Sequence, residues 1–153
     1  MKIIFILFLL ITIISCNNQE DIEKETTIIS AGTIPETRTA VSSRPIAGLT
    51  ENAGDALNKD WAFTVKVYQT AKTFQFVMKI KYQELEAVDT LKIPNIGIEP
   101  VVVLKSGKEK FSCIVGFKDK AQQFKEYKKV SVENNQLKIK VLKHYAVYTS
   151  IKK

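Results

Sequence analysis

Thr73-Phe74-Gln75-Phe76-Val77-Met78-Lys79-Ile80-Lys81-Tyr82 is the stretch that decides the fold class. Phe74, Phe76, Met78, Ile80 and Tyr82 share one parity, while Gln75, Lys79 and Lys81 share the other. Successive side chains of an extended chain point to opposite faces, so this spacing predicts a strand with one buried and one wet face. Just before it, Trp61, Phe63, Val65 and Val67 repeat the alternation, and Gln69 to Lys72 is a connection of hairpin length.

The pattern continues downstream. Val101-Val102-Val103-Leu104 and Phe111 to Phe117 flank Lys105-Ser106-Gly107-Lys108, where Gly107 can take a positive φ without a Cβ penalty. Pro100 stands where a missing amide donor matters least, and Gly116 marks an expected bulge. Val130-Ser131-Val132 pairs through Asn134-Asn135 with Leu137 to Val141, both Asn residues tolerating left-handed geometry. Val88 to Ile93 and Tyr145 to Ile151 read as further strands. Between the second and third hairpins, Asp119 is placed to cap a short helix carrying Ala121, Phe124 and Tyr127 on one face. The expected fold is all-β: an antiparallel β-sandwich of seven or eight strands with one short helix, over residues 61–153, with a partly open barrel as the alternative.

Upstream the composition changes. From Asn17 to Lys59, 43 residues carry no aromatic side chain and no sustained period, so they read as a disordered, flexible tether. Such a coil spans roughly 35 to 40 Å, and about 150 Å when stretched. Within it, Thr27-Ile28-Ile29-Ser30 could add a short strand or hold a partner, and Asn52 to Asn58 could form a helical turn.

The chain opens with Met1-Lys2 and an apolar run from Ile3 to Ile14. A bilayer-spanning helix needs about 20 apolar residues, so this run reads as a removable export signal. At its end, Ile13-Ile14-Ser15-Cys16 resembles the lipobox of bacterial lipoproteins, and the resemblance covers only this end of the chain. It implies cleavage after Ser15, diacylglycerol on the Cys16 sulfur and acylation of the new amino terminus by a palmitate-type chain. The precursor then divides into a signal peptide at 1–15, a lipidated tether at 16–60 and a domain at 61–153. Several acyl chains hold a protein stably to a membrane where one binds reversibly. Asn17, rather than Asp, follows the cysteine, which by the same resemblance points to the outer membrane of a Gram-negative bacterium. Glu20-Asp21-Ile22-Glu23 resembles an acidic surface-export tether, so the periplasmic and surface faces both stay open.

Chemistry-bearing constellations are sparse. One His and two Cys, one of them assigned to lipid, assemble no zinc-like cluster, and the domain's carboxylates are scattered singly through turns and strand ends. Cys113, inside Phe111-Ser112-Cys113-Ile114-Val115, reads as inert packing, and His144 as a strand-end residue. No nucleophile elbow, phosphate-cradling loop or dinucleotide motif is present. The expectation is a protein that is not an enzyme and carries no cofactor beyond the lipid on Cys16.

Charge is the most informative property. From Trp61 onward, eighteen lysines and no arginine face eight acids, a net charge of +10. Arg supplies the planar fork suited to bidentate recognition of phosphates and bases, so a lysine-only surface argues against sequence-specific nucleic-acid binding and for diffuse attraction to an anionic glycan or an acidic envelope protein. The densest group, Lys118, Lys120, Lys125, Lys128, Lys129, Lys138, Lys140 and Lys143, is the expected contact region. Asp89-Thr90-Leu91 resembles a short periplasmic O-glycosylation acceptor motif, with Thr90 as the modified residue. Two functions compete: a lipid-anchored, non-enzymatic binding or assembly module docking a protein or anionic envelope component, and a periplasmic inhibitor or immunity protein neutralising a toxin or hydrolase.

Overall fold

The computed structural model describes residues 26–30 and 34–148, with side chains over 34–145. The described residues are all-β. The strands are β1 (Thr26–Ser30), β2 (Ala47–Asn52), β3 (Ala62–Gln69), β4 (Gln75–Tyr82), β5 (Leu85–Lys92), β6 (Val101–Ser106), β7 (Ser112–Lys118), β8 (Phe124–Glu133), β9 (Gln136–Val141) and β10 (His144–Tyr148). Two antiparallel sheets of four strands, β2-β3-β4-β5 and β6-β7-β8-β9, form a sandwich-like body, and β1 pairs in parallel with β10. Along one side β2 meets β6, and along the other β5 meets β9.

Alternation builds the core. Phe63, Val65 and Val67 of β3 and Phe76, Met78 and Ile80 of β4 are almost wholly buried, facing Val102 of β6, Cys113, Val115 and Phe117 of β7 and Val130 of β8. Burying each large apolar side chain contributes about 1.5–3 kcal/mol. At one end Phe111 packs between Phe63 and Tyr82, with ring centroids 6.3 and 5.2 Å away.

The expected tether boundary at residue 60 is displaced. Ala47–Asn52 is an edge strand paired with β3, Leu49 lying opposite Val65. The segment before β2 is strapped down by Arg38, whose side chain is only 5% exposed. Its guanidinium donates to the carbonyls of Thr70 at 2.9 Å, Lys72 at 2.5 Å and Thr73. The same group lies 4.7 Å from the Phe76 ring and 3.3 Å from a Glu99 oxygen. These are loop carbonyls at the β3–β4 turn, and with the Arg38 amide donating to the Ala71 carbonyl and the Thr73 amide to the Glu36 carbonyl, both at 2.8 Å, they hold a segment of tether-like composition to the fold. The Thr27-Ile28-Ile29-Ser30 patch is the β1 backbone, in register with Tyr145 to Tyr148.

The helix expected after Asp119 is a loop and a strand. Asp119 accepts an amide hydrogen bond, but from Gln123 at 2.8 Å, closing a turn with Gln122 at φ 60°. Phe124 and Tyr127 imitate helical spacing because the β7–β8 register shifts between Val115 and Gly116, pairing Val115 with Lys128 and Gly116 with Glu126, so that Tyr127 is the extra residue. Gly116 is required there, since a Cβ would lie 2.2 Å from the Lys125 carbonyl oxygen. In the β6–β7 hairpin the positive φ falls on Phe111 rather than Gly107, whose Cβ would instead strike the Ser112 hydroxyl at 2.0 Å. Asn134 and Asn135 both adopt positive φ, as their turn chemistry predicts.

The bulge turns Lys128 inward. Its ammonium donates to Asp89 Oδ2 at 2.6 Å and to the Thr90 carbonyl at 3.0 Å, joining β8 to β5 across the gap between the sheets. On the opposite side, Glu51 of β2 accepts from the Phe111 amide at 3.0 Å. Lys128→Met alone is expected to destabilise the fold by about 2 kcal/mol, between the values for exposed and buried ion pairs, and adding Asp89→Leu to recover most of the loss. Urea unfolding checks this; a single variant as stable as the parent contradicts the inter-sheet role.

Candidate functional site

The same parity that buries Val65 and Ile80 sends Lys66, Lys79 and Lys81 outward. In the sheet register Lys66 of β3 lies directly opposite Lys79 of β4, and Lys79 opposite Val88 of β5. The adjoining rows place Thr64, Lys81 and Glu86 together on one side and Tyr68, Val77 and Thr90 on the other. Lys66, Lys79, Lys81, Thr90 and Lys92 are all exposed, and Val88 is 69% exposed. A shallow depression of about 220 Å³ is lined by Lys66, Tyr68, Lys79, Lys81, Glu86 and Val88, among others. Lys79 Nζ sits 5.2 Å from the Tyr68 ring centroid. Lys81 pairs with Glu86 at 3.5 Å, both side chains being more than half exposed, a geometry that contributes little. Lys66 has no ion-pair partner among the described residues. Like charges directly opposite across two strands are destabilising where their charged groups stay close, and Lys79 turns its ammonium toward the Tyr68 ring.

The lysines singled out from sequence density are differently placed. Lys125 pairs with Asp119 at 3.3 Å, Lys128 with Asp89, Lys129 with Glu109 at 2.8 Å and Lys138 with Glu133 at 3.2 Å. The Lys129 ammonium holds the Glu109 carboxyl below its ordinary value, and Lys138 does the same for Glu133. Lys120 and Lys143 are also engaged, while Lys118 is half-buried and Lys140 exposed. The bulge divides the group: Lys125 and Lys128 turn toward the sandwich interior, whereas Lys129 and Lys140 lie opposite one another on the outer face of the second sheet. An anion arriving there meets Glu109, Glu126 and Glu133; on the first sheet it meets Glu86.

Sequence density therefore overlooked Lys66, Lys79 and Lys81. Lys79 and Lys81 carry the polar parity of the fold-deciding strand, and registering the β3–β4 hairpin adds Lys66, so the signal lay in pairing rather than in local charge. Thr90 lies mid-strand on the edge strand β5, its amide donating to the Asp89 side chain at 2.8 Å. Cys16 lies outside the described residues.

Cys113 is fully buried on β7, and burial pushes its thiol up to about 12. His144 is exposed, on β10. Among the described residues, no group of three or more His, Cys, Asp or Glu side chains is arranged to hold a metal ion. No family model, curated protein or solved structure matches this chain.

A thiol with this environment should resist alkylation. At pH 8 the Cys16→Ala form is expected to take up iodoacetamide at Cys113 only after denaturation. The folded thiol ionises near 12 and the unfolded one near 8.5, so stability is expected to fall as pH rises above about 9, and Cys113→Ala to flatten that loss. Rapid labelling of the native protein contradicts the buried, protonated thiol.

Proposed function

We propose that this chain is a lipid-anchored, non-enzymatic binding module of the bacterial cell envelope, docking an anionic envelope component through the outer face of its first sheet. The anchor is the lipid on Cys16, and the address is the outer membrane. The observation that carries the reading is the Lys66–Lys79 pair: two lysines at paired backbone positions on an exposed, basic sheet face. An anion seated between the ammonium groups relieves whatever repulsion they share. Lysine, a compact point charge on a flexible stem, suits a diffuse anionic surface better than a single oriented phosphate. The two four-stranded sheets supply the scaffold, and the lysines of the second sheet, Lys129 and Lys140 among them, form a weaker secondary basic region because of their neighbouring acids. The protonated, buried thiol of Cys113 supports the non-enzymatic side of the proposal, since a thiolate is the nucleophile in cysteine chemistry.

Lys66→Glu separates stability from binding. Placing an opposite charge across from Lys79 is expected to stabilise the fold by about 0.2–1 kcal/mol. The same change is expected to weaken retention of the Cys16→Ala chain on isolated cell envelopes at low salt by about tenfold or more. Unaltered retention would sink the assignment of this face.

A further inference from the structure

We infer that the first sheet's outer face rests on the anionic phospholipid headgroups of the membrane that holds the Cys16 lipid. The inference builds on the proposed anchor and binding face, and names the partner that face takes. Three observations lead to it.

The first is reach. The described fold begins with β1 at Thr26 and is strapped down from Arg38 onward, so the long expected tether is much shortened. Nine residues lie between Cys16 and Thr26, ten residue steps in all. Fully extended they span at most about 35 Å, against the roughly 27 Å length of an eight-residue strand. The body is therefore confined to a layer about its own size above the bilayer, and any attraction of one face for that surface acts at high effective concentration.

The second is charge. Outward positions of β3, β4 and β5 carry Lys66, Lys79, Lys81 and Lys92 against the single acid Glu86. A bilayer bearing anionic lipid attracts such a face over its whole width without needing any one oriented contact.

The third is what stands between the lysines. Val88 is 69% exposed beside Lys79, Ile46 is 38% exposed just before β2, and Tyr68 lies in the adjoining row. Exposed aliphatic groups and an amphipathic aromatic ring interleaved with lysines suit the headgroup boundary, where apolar atoms enter the acyl edge and ammonium groups stay at the phosphates. A soluble polyanion offers those apolar groups nothing.

The test is co-sedimentation of the mature Cys16→Ala chain with vesicles of equimolar phosphatidylethanolamine and phosphatidylglycerol, beside phosphatidylcholine vesicles and soluble dextran sulfate. Binding to the anionic vesicles is expected to exceed that to phosphatidylcholine. Lys66→Gln/Lys79→Gln/Lys81→Gln is expected to lower it by about fivefold per lysine, roughly two orders of magnitude together. Lys138→Gln/Lys140→Gln, on the other sheet, is expected to change it less than fivefold, and Val88→Ser to weaken vesicle binding while leaving dextran sulfate binding unchanged. Circular dichroism of each variant excludes unfolding. Binding to dextran sulfate through the same lysines without vesicle binding overturns the membrane inference and leaves the anionic-face reading standing. Binding to neither overturns both, and equal binding to phosphatidylcholine overturns the electrostatic basis.

Discussion

The pairing of β3 with β4, in a register that sets Val65 against Ile80 and Lys66 against Lys79, is the constraint on which the rest depends. Strand side chains alternate with a period of two, so one register buries the first pair and exposes the second together. A slip of β4 by one residue would turn Lys79 and Lys81 toward Val115 and Phe117 and strand Phe76 in water, and the same slip of β3 would do so with Lys66 and Phe63. The apolar pairs lock the register, and the register places the lysines. Core and candidate surface are two faces of one decision.

How much of this could be read from the residues follows from whether the determining partner is near in sequence. The β3–β4 hairpin and the Asn134-Asn135 turn are local, and their patterns are explicit. β2 is a different case: Ala-Gly-Leu-Thr-Glu-Asn offers only Leu49 as a large apolar residue, and an edge strand held by β3 needs little more. Arg38 folds the preceding segment by capping carbonyls 32 to 35 residues away, which no compositional measure of disorder registers. Past Asp119, one bulge opposite Gly116 gave Phe124 and Tyr127 a helical spacing on a strand. The lysine cluster is engaged by acids both near and far: Asp119 for Lys125 and Glu133 for Lys138 lie within the same stretch, whereas Glu109 for Lys129 and Asp89 for Lys128 lie 20 and 39 residues upstream. Local density counts charge and overlooks neutralisation at a distance.

The polar contacts between sheets have a structural logic of their own. Lys128 reaching Asp89 and the Thr90 carbonyl occupies the interior side of edge strand β5, and Glu51 satisfies the Phe111 amide beside edge strand β2. An inward-pointing charge on an edge strand discourages pairing with a foreign strand. Pairing with a foreign strand is thereby disfavoured at the edges, which leaves the open faces, of which the first sheet's is the more uniformly basic.

Lysine acylation footprinting in native envelopes tests the central claim most directly. The full-length protein, in intact envelopes and after purification in detergent, is treated with an acylating reagent, and modification at each lysine is compared by mass spectrometry. The account predicts that Lys66 and Lys79 react readily in the purified protein and are shielded in the envelope, while Lys138 and Lys140 change little. Equal modification of Lys66 and Lys79 in both states would contradict it.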